Sequence, residues 1–149
     1  MTKPSQISQS LRAWMDVFMH RSMRGWIHFA KSTGLTMSQF SILMQLHHKG
    51  PCGLSAISER FDITAAAASQ LVDKLAQAGY LDREENPADR RAKQLKLSAK
   101  GLKLVKEGIQ ERYRWMEELT ANLSAEERKK VSEALDILTH AAQAMDQAH

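Results

Sequence analysis

Residues 54–79 read LSAISERFDITAAAASQLVDKLAQAG, and their reading decides the fold. LSAISERF (54–61) has the length and apolar spacing of a short helix. Asp62-Ile63-Thr64 interrupts the pattern as a tight turn, and a second helix follows over 65–78. Thr64 suits the N-cap of that helix, because its hydroxyl can accept from an amide that the first turn leaves open. Gly79 suits the C-cap, because glycine enters the left-handed conformation that ends helices. Leu71, Val72, Leu75 and Ala78 fall on one side of the second helix. Ala65, Ala66, Ser69, Gln70 and Asp73 fall on the other, with Lys74 near the edge. Two short helices joined by about three residues predict a helix-turn-helix.

Working outward, YLDRE (80–84) and KQLKLS (93–98) lie on either side of the stretch NPADRR (86–91). Leu95 and Leu97 alternate with polar residues, a short strand pattern, and Leu81 supplies the apolar partner on the other side. The two runs predict a β-hairpin with NPADRR as its tip; Asn-Pro is a turn signal. The tip sets Asp89 beside Arg90 and Arg91, with Lys93 close behind. A charge run on a turn is usually a solvated face. Two guanidinium groups closely following a candidate reading helix fit another role, since arginine suits a narrow, electronegative minor groove. Asp89 is placed to hold Arg91 by a charge-assisted bond. Such an exposed pair alone contributes only about 0–1 kcal/mol.

Long helices flank this unit. Ile7, Leu11, Trp14, Phe18, Gly25, Trp26 and Phe29 recur at helical spacing over residues 5–32. Their face is wide and aromatic enough to pack against more than its own chain. Thr36 and Gln39 stand in capping-box register, with Leu35 and Phe40 at the staple positions. Phe40, Leu43 and Leu46 continue as a buried stripe, and Gly50-Pro51 ends the helix. After the hairpin, Ser98 caps a helix to about residue 121 with the stripe Leu102, Val105, Ile109, Tyr113, Met116 and Leu119. Ser124 and Glu127 form a second capping box, and Val131, Leu135, Leu138, Ala142 and Met145 run along the last helix. The expected class is mainly α with a small β-hairpin wing: a winged helix-turn-helix over 36–98, flanked by long helical segments in 1–35 and 99–149.

Bulk properties agree. A chain of 149 residues fits one domain, and 43% apolar with 26% charged residues is ordinary for a folded protein. One cysteine, Cys52, rules out an intrachain disulfide, and a reducing, cytoplasmic setting is the simplest reading. No apolar run approaches the ~20 residues of a membrane span, and MTKPSQISQS (1–10) lacks a signal-peptide core. The net charge of +4 resides in residues 1–40 and around the hairpin, which favours a polyanionic partner.

The outer side of helix 65–78 is small and mostly uncharged at its start. Small side chains let a helix sit deep in the major groove, where alanine can touch a thymine methyl and Gln70 can bond adenine bidentately. The helix N-terminus itself favours phosphate. The bland alternative is that four alanines are merely good helix formers on a surface.

DRRAKQLKLSAKG (89–101) fits the pattern Asp-x-Arg-x-Lys-x-x-x-Leu-Thr/Ser-x-x-Gly. ISERFDITAAAASQLVDKLAQAGYLDRE (57–84), with its Leu-Val-Asp-Lys-Leu core and Gly-Tyr-Leu continuation, fits the helix-turn-helix that precedes that pattern. Together they resemble the MarR family of bacterial transcription regulators, over essentially the whole chain. The resemblance implies a homodimer that binds double-stranded DNA, with 1–35 and 99–149 as the helical dimerisation region, helix 65–78 in the major groove and the wing tip in the minor groove. On that reading Thr64, Ala65, Ala66, Ala67, Ser69, Gln70, Lys74, Arg90 and Arg91 meet DNA, while Asp89 and Lys93 support the wing. Ser69 and Gln70 stand where Thr and Arg are often found, so the reading face has lost a charge. Asp62 stands where a turn glycine is common, and aspartate tolerates the left-handed conformation.

Trp14, Trp26, Phe29, Met44, Trp115 and Met116 are candidates to line a pocket for a small aromatic ligand, or are plain core. No cofactor and no metal site is expected: His20, His28, His47 and His48 form no tight cluster with Cys or carboxylates. Cys52 has no adjacent base to activate it. No nucleophile–base pair or phosphate-cradling glycine loop is visible, which argues against an enzyme. The competing reading is a winged-helix protein-interaction or scaffold module.

Overall fold

The computed structural model describes residues 3–146. Among them α1 (Pro4–Ser32), α2 (Met37–Lys49), α3 (Leu54–Phe61) and α4 (Ala65–Gln77) precede a hairpin of β1 (Leu81–Asn86) and β2 (Asp89–Leu97). Helices α5 (Ala99–Ala121) and α6 (Ala125–Asp146) follow. The chain divides into two compact units, the boundary falling inside α5 after Arg112. No helix among the described residues is long and apolar enough to cross a membrane. The fold is mainly helical with a small antiparallel wing.

Local chemistry sets the helix ends. The Gln39 amide donates to Thr36 Oγ1 (3.2 Å) while the Thr36 amide donates to Gln39 Oε1 (2.9 Å), a closed capping box at the start of α2. Ser124 and Glu127 repeat it before α6 (3.2 and 2.8 Å). That contact with Ser124 holds the Glu127 carboxyl below the usual range. Gly50 ends α2 at φ 81°. Asp62 ends α3 in the left-handed region (φ 50°, ψ 49°), the expected turn conformation. The end of α4 differs from expectation by one position. Ala78 is its cap, and Gly79 lies just beyond at φ 79°. The Tyr80 amide then reaches Leu75 O (2.9 Å) and the Gly79 amide reaches Ala76 O (3.0 Å). This pair of bonds needs the left-handed residue after the cap rather than at it.

The core of the first unit gathers Phe40, Leu43 and Leu46 of α2, Ile57 of α3, Ala68, Val72 and Leu75 of α4, and Leu81 and Leu95 of the wing. Trp26 packs edge-on against Phe40 with ring centroids 4.5 Å apart. On α5 the buried positions are Gly101, Leu104, Val105 and Gly108. The expected stripe is therefore displaced: Val105 is buried, but Leu102, Tyr113 and Leu119 are exposed. Close approach explains the shift, because Gly108 leaves room where a Cβ would meet Phe40 Cζ at 2.6 Å. On α6 no residue is fully buried, and Val131, Leu135 and Met145 of its expected stripe are exposed.

Candidate nucleic-acid interface

Helix α4 and the wing carry most of the candidate residues. Thr64 caps α4, its Oγ1 accepting from the Ala67 amide (3.1 Å). The first turn holds no acidic side chain, and the amides of Ala65 and Ala66 have no acceptor within the helix. An anion approaching this end meets aligned amides and the positive end of the helix dipole. Thr64, Ala65, Ala66, Gln70 and Lys74 are exposed, Ala67 and Ser69 are half-buried, and Ala68 is wholly buried. The alanine run thus serves two sides: three face outward or edgewise while the fourth enters the core.

The hairpin is longer and tighter at its end than the sequence reading has it. Its turn is Pro87-Ala88 alone, and Asp89, Arg90 and Arg91 belong to β2. Two side chains bend the backbone locally. Asn86 Oδ1 accepts from the Ala88 amide (2.9 Å), and Asp89 Oδ1 accepts from the Arg91 amide (3.0 Å). The ladder pairs Glu85 with Lys93 and Asn86 with Asp89, so Arg90, Arg91 and Ala92 bulge outward. Asp89 therefore holds Arg91 by its backbone, not by its guanidinium. Arg90, Arg91 and Lys93 are exposed, and among the described residues none has an acidic partner. Other wing cations are neutralised: Lys96 pairs with Glu84 at 3.4 Å, and Arg83 pairs with Asp73 of α4.

Two features lie outside the sequence reading. Asp73 and Arg83 join α4 to β1. Cys52 adds a bridge to the hairpin, its amide donating to Leu95 O (3.1 Å) and its carbonyl accepting from the Leu95 amide (2.7 Å). Burial pushes the Cys52 thiol up. A lone acid on the outer face of α4 was the only signal of the first, and no residue pattern announced the second.

A separate groove of about 550 Å³ opens in the first unit, lined by Met23, Trp26, Met44, Phe61, Lys49, Arg60 and Arg112 among others. Of the six candidate pocket residues it brings together Trp26 and Met44. Phe29 instead packs edge-on against Phe40 (centroids 5.9 Å apart). Trp14 lies twelve residues before Trp26 on α1, and Trp115 and Met116 belong to the second unit. The guanidinium of Arg112 stands over the Trp26 ring at 5.7 Å. Among the described residues no group of three or more His, Cys, Asp or Glu could hold a metal ion.

Known proteins share this architecture. The model of the MarR family matches residues 35–93. The transcriptional regulator MhqR of Bacillus subtilis is 30% identical over 102 residues, covering 68% of this chain and 70% of that protein. Across the first few curated relatives the match spans 66% to 75% of their length. The crystal structure of the transcriptional regulator Tm0710 from Thermotoga maritima superposes with a TM-score of 0.79 at 26% identity, covering 94% of this chain and 96% of that one. A mutant MepR of S. aureus bound to an oligodeoxyribonucleotide shares the fold at 19% identity, TM-score 0.69, covering 89% of this chain and 97% of that one. The chain belongs to the MarR family of helix-turn-helix transcriptional regulators.

Proposed function

We propose that this chain is a ligand-responsive repressor that binds a pseudo-palindromic operator as a homodimer. The observation that carries DNA binding is the pairing, in one unit, of an acid-free helix start with tip arginines, Arg90 and Arg91, that lack acidic partners among the described residues. Ala65, Ala66, Ala67, Ser69 and Gln70 enter the major groove, where Gln70 reads adenine and the alanines touch thymine methyls. Thr64 and Lys74 face phosphates, and Arg90 and Arg91 enter the adjacent minor groove. The dimer is supported by apolar side chains left exposed on α1 and α6, including Met15, Val17, Val131, Leu135 and Ile137. Two-fold symmetry then sets the half-sites roughly one helical turn apart. The groove, with Trp26 and Phe61 beside Lys49, Arg60 and Arg112, fits a small aromatic acid. Such a ligand releases DNA by binding better to a conformation whose two reading helices miss the groove spacing.

Selection of bound fragments from the host genome yields the operator, and fluorescence anisotropy on that duplex tests the rest. Arg91→Ala weakens operator binding by about 1–3 kcal/mol while the dimer and its helical content persist. Unchanged affinity at physiological salt removes the assigned role. Absence of any sequence-preferring fragment, with a stable complex to another protein, favours the scaffold reading instead.

A further inference from the structure

The wing is held to its unit at the base by apolar and backbone contacts, and at the level of Leu95 one ion pair ties it to α4. At the base Leu81 and Leu95 are buried, and Leu95 exchanges backbone hydrogen bonds with Cys52. Two residues along β1 from Leu81, Arg83 faces Leu95 across the ladder. Its guanidinium meets the carboxylate of Asp73 on α4. Among the described residues, no other side-chain hydrogen bond or ion pair joins either strand to α4. Beside the pair lies a cleft of about 470 Å³ whose lining includes Leu54, Val72 and Leu95. Beside that cleft, among the described residues, the ion pair is the one polar side-chain tie between the wing and α4.

Asp73 lies four residues after Ser69 and three after Gln70, on the same side of α4 as the reading residues. It is the single acid in that helix. A carboxylate on a face that approaches phosphates is unfavourable unless its charge is compensated, and Arg83 compensates it. Both side chains are partly exposed, 42% and 45%, so their pairing shifts a folding equilibrium by at most about fivefold. Global stability is not what the pair controls. Geometry is: a six-residue strand such as β1 is about 20 Å long, so a tilt of roughly 10° at its base moves the tip by about 3 Å.

We propose that Asp73 and Arg83 are positioning residues whose ion pair fixes the wing against α4, so that major-groove and minor-groove contacts depend on each other. The proposal rests on the DNA reading of α4 and the wing given above. Breaking the pair leaves both elements folded but lets the tip arginines wander from the groove while α4 docks.

A double-mutant cycle tests this in the full-length chain, with the genome-selected operator duplex as probe and circular dichroism as the check on folding. In the native background Arg91→Ala weakens binding about fivefold or more. In an Asp73→Asn or Arg83→Gln background the same substitution costs less than about twofold, because the tip contact is already lost. Arg83→Lys, which keeps the charge, retains most of the native dependence on Arg91. Equal factors in all backgrounds overturn the coupling. No effect of Arg91→Ala in the native chain overturns the wing reading and the proposal with it. Hydrogen exchange on the DNA-free protein separates the two cases. Arg83→Gln speeds exchange of hairpin amides beyond Arg83, while α2 is unaffected. Unchanged hairpin exchange refutes the mechanical link whatever the DNA results.

Discussion

Replacing Gly101 by alanine probes how the base of the wing joins α5. A Cβ built there lies 1.9 Å from the Tyr80 carbonyl oxygen and 3.2 Å from Leu97 Cδ2. The nearest atom is backbone, so no side-chain rotation relieves the clash. The start of α5 must withdraw by roughly 1.5 Å or more to reach ordinary contact. That movement opens the Ser98 amide bond to Tyr80 O (3.2 Å) and the Ser98 hydroxyl bond to Gly79 O (2.6 Å). Alanine recovers about 1 kcal/mol of helix propensity. Against this stand the two hydrogen bonds, about 1 kcal/mol each, and about 2 kcal/mol for forcing an extra methyl into a closed contact. The expected net loss is about 3 kcal/mol, a fall in Tm of about 6–12 °C for a chain of this size. Thermal and urea unfolding followed at 222 nm measure it. Gly53→Ala is the control, because its Cβ would meet nothing nearer than Ser55 Oγ at 3.8 Å, and its cost stays below about 1 kcal/mol. If Gly101→Ala unfolds at or above the native temperature, propensity outweighs the clash and the close crossing of α5 over Tyr80 is refuted.

Three further outcomes follow from the local chemistry. Asp89→Ala deprives the Arg91 amide of its acceptor and weakens operator binding, whereas Asp89→Asn keeps an acceptor oxygen and binds nearly as the native chain does; equal losses in anisotropy would refute the backbone role. Because burial pushes the Cys52 thiol up, its thiolate is scarce at neutral pH, and iodoacetamide modifies it more slowly than a cysteine in a short peptide; an equal or faster rate counts against this. The folded Glu127 carboxyl is held below its usual range by Ser124, so its contribution to stability is present above the unfolded carboxylate value and is lost as pH falls through the folded one. Urea titrations across that acid window should show the native chain losing its advantage over Glu127→Gln, and a constant difference would sink the assignment.

Much of the architecture was legible because it is local. Thr36 with Gln39, Thr64, Ser98, and Ser124 with Glu127 cap helices within three residues of themselves, so residue type and spacing identify them without knowledge of the fold. The turn at Asp62 is equally local. The face of α5 was harder to read. Its apolar residues spread around the helix, and the choice among them fell to Gly101 and Gly108, which admit Tyr80 and Phe40 closely. Glycine carries no hydrophobic signal, so periodicity overlooks it. The position of the wing tip along the chain is legible, but the strand character of residues 89–91 is not, because the Asx bonds of Asn86 and Asp89 that shorten the turn are not strand propensities.

The amino-acid sequence by itself determined the order of helices, the helix-turn-helix, the hairpin and the family, because capping, turn chemistry and apolar period act over a few residues. Tertiary structure alone decided that Asp73 meets Arg83, that Cys52 pairs with Leu95, and that Lys49, Arg60 and Arg112 share a groove with Trp26. These are meetings of residues from separate elements. They depend on how closely helices approach and at what angle strands leave them, and those quantities arise only when the whole core is packed.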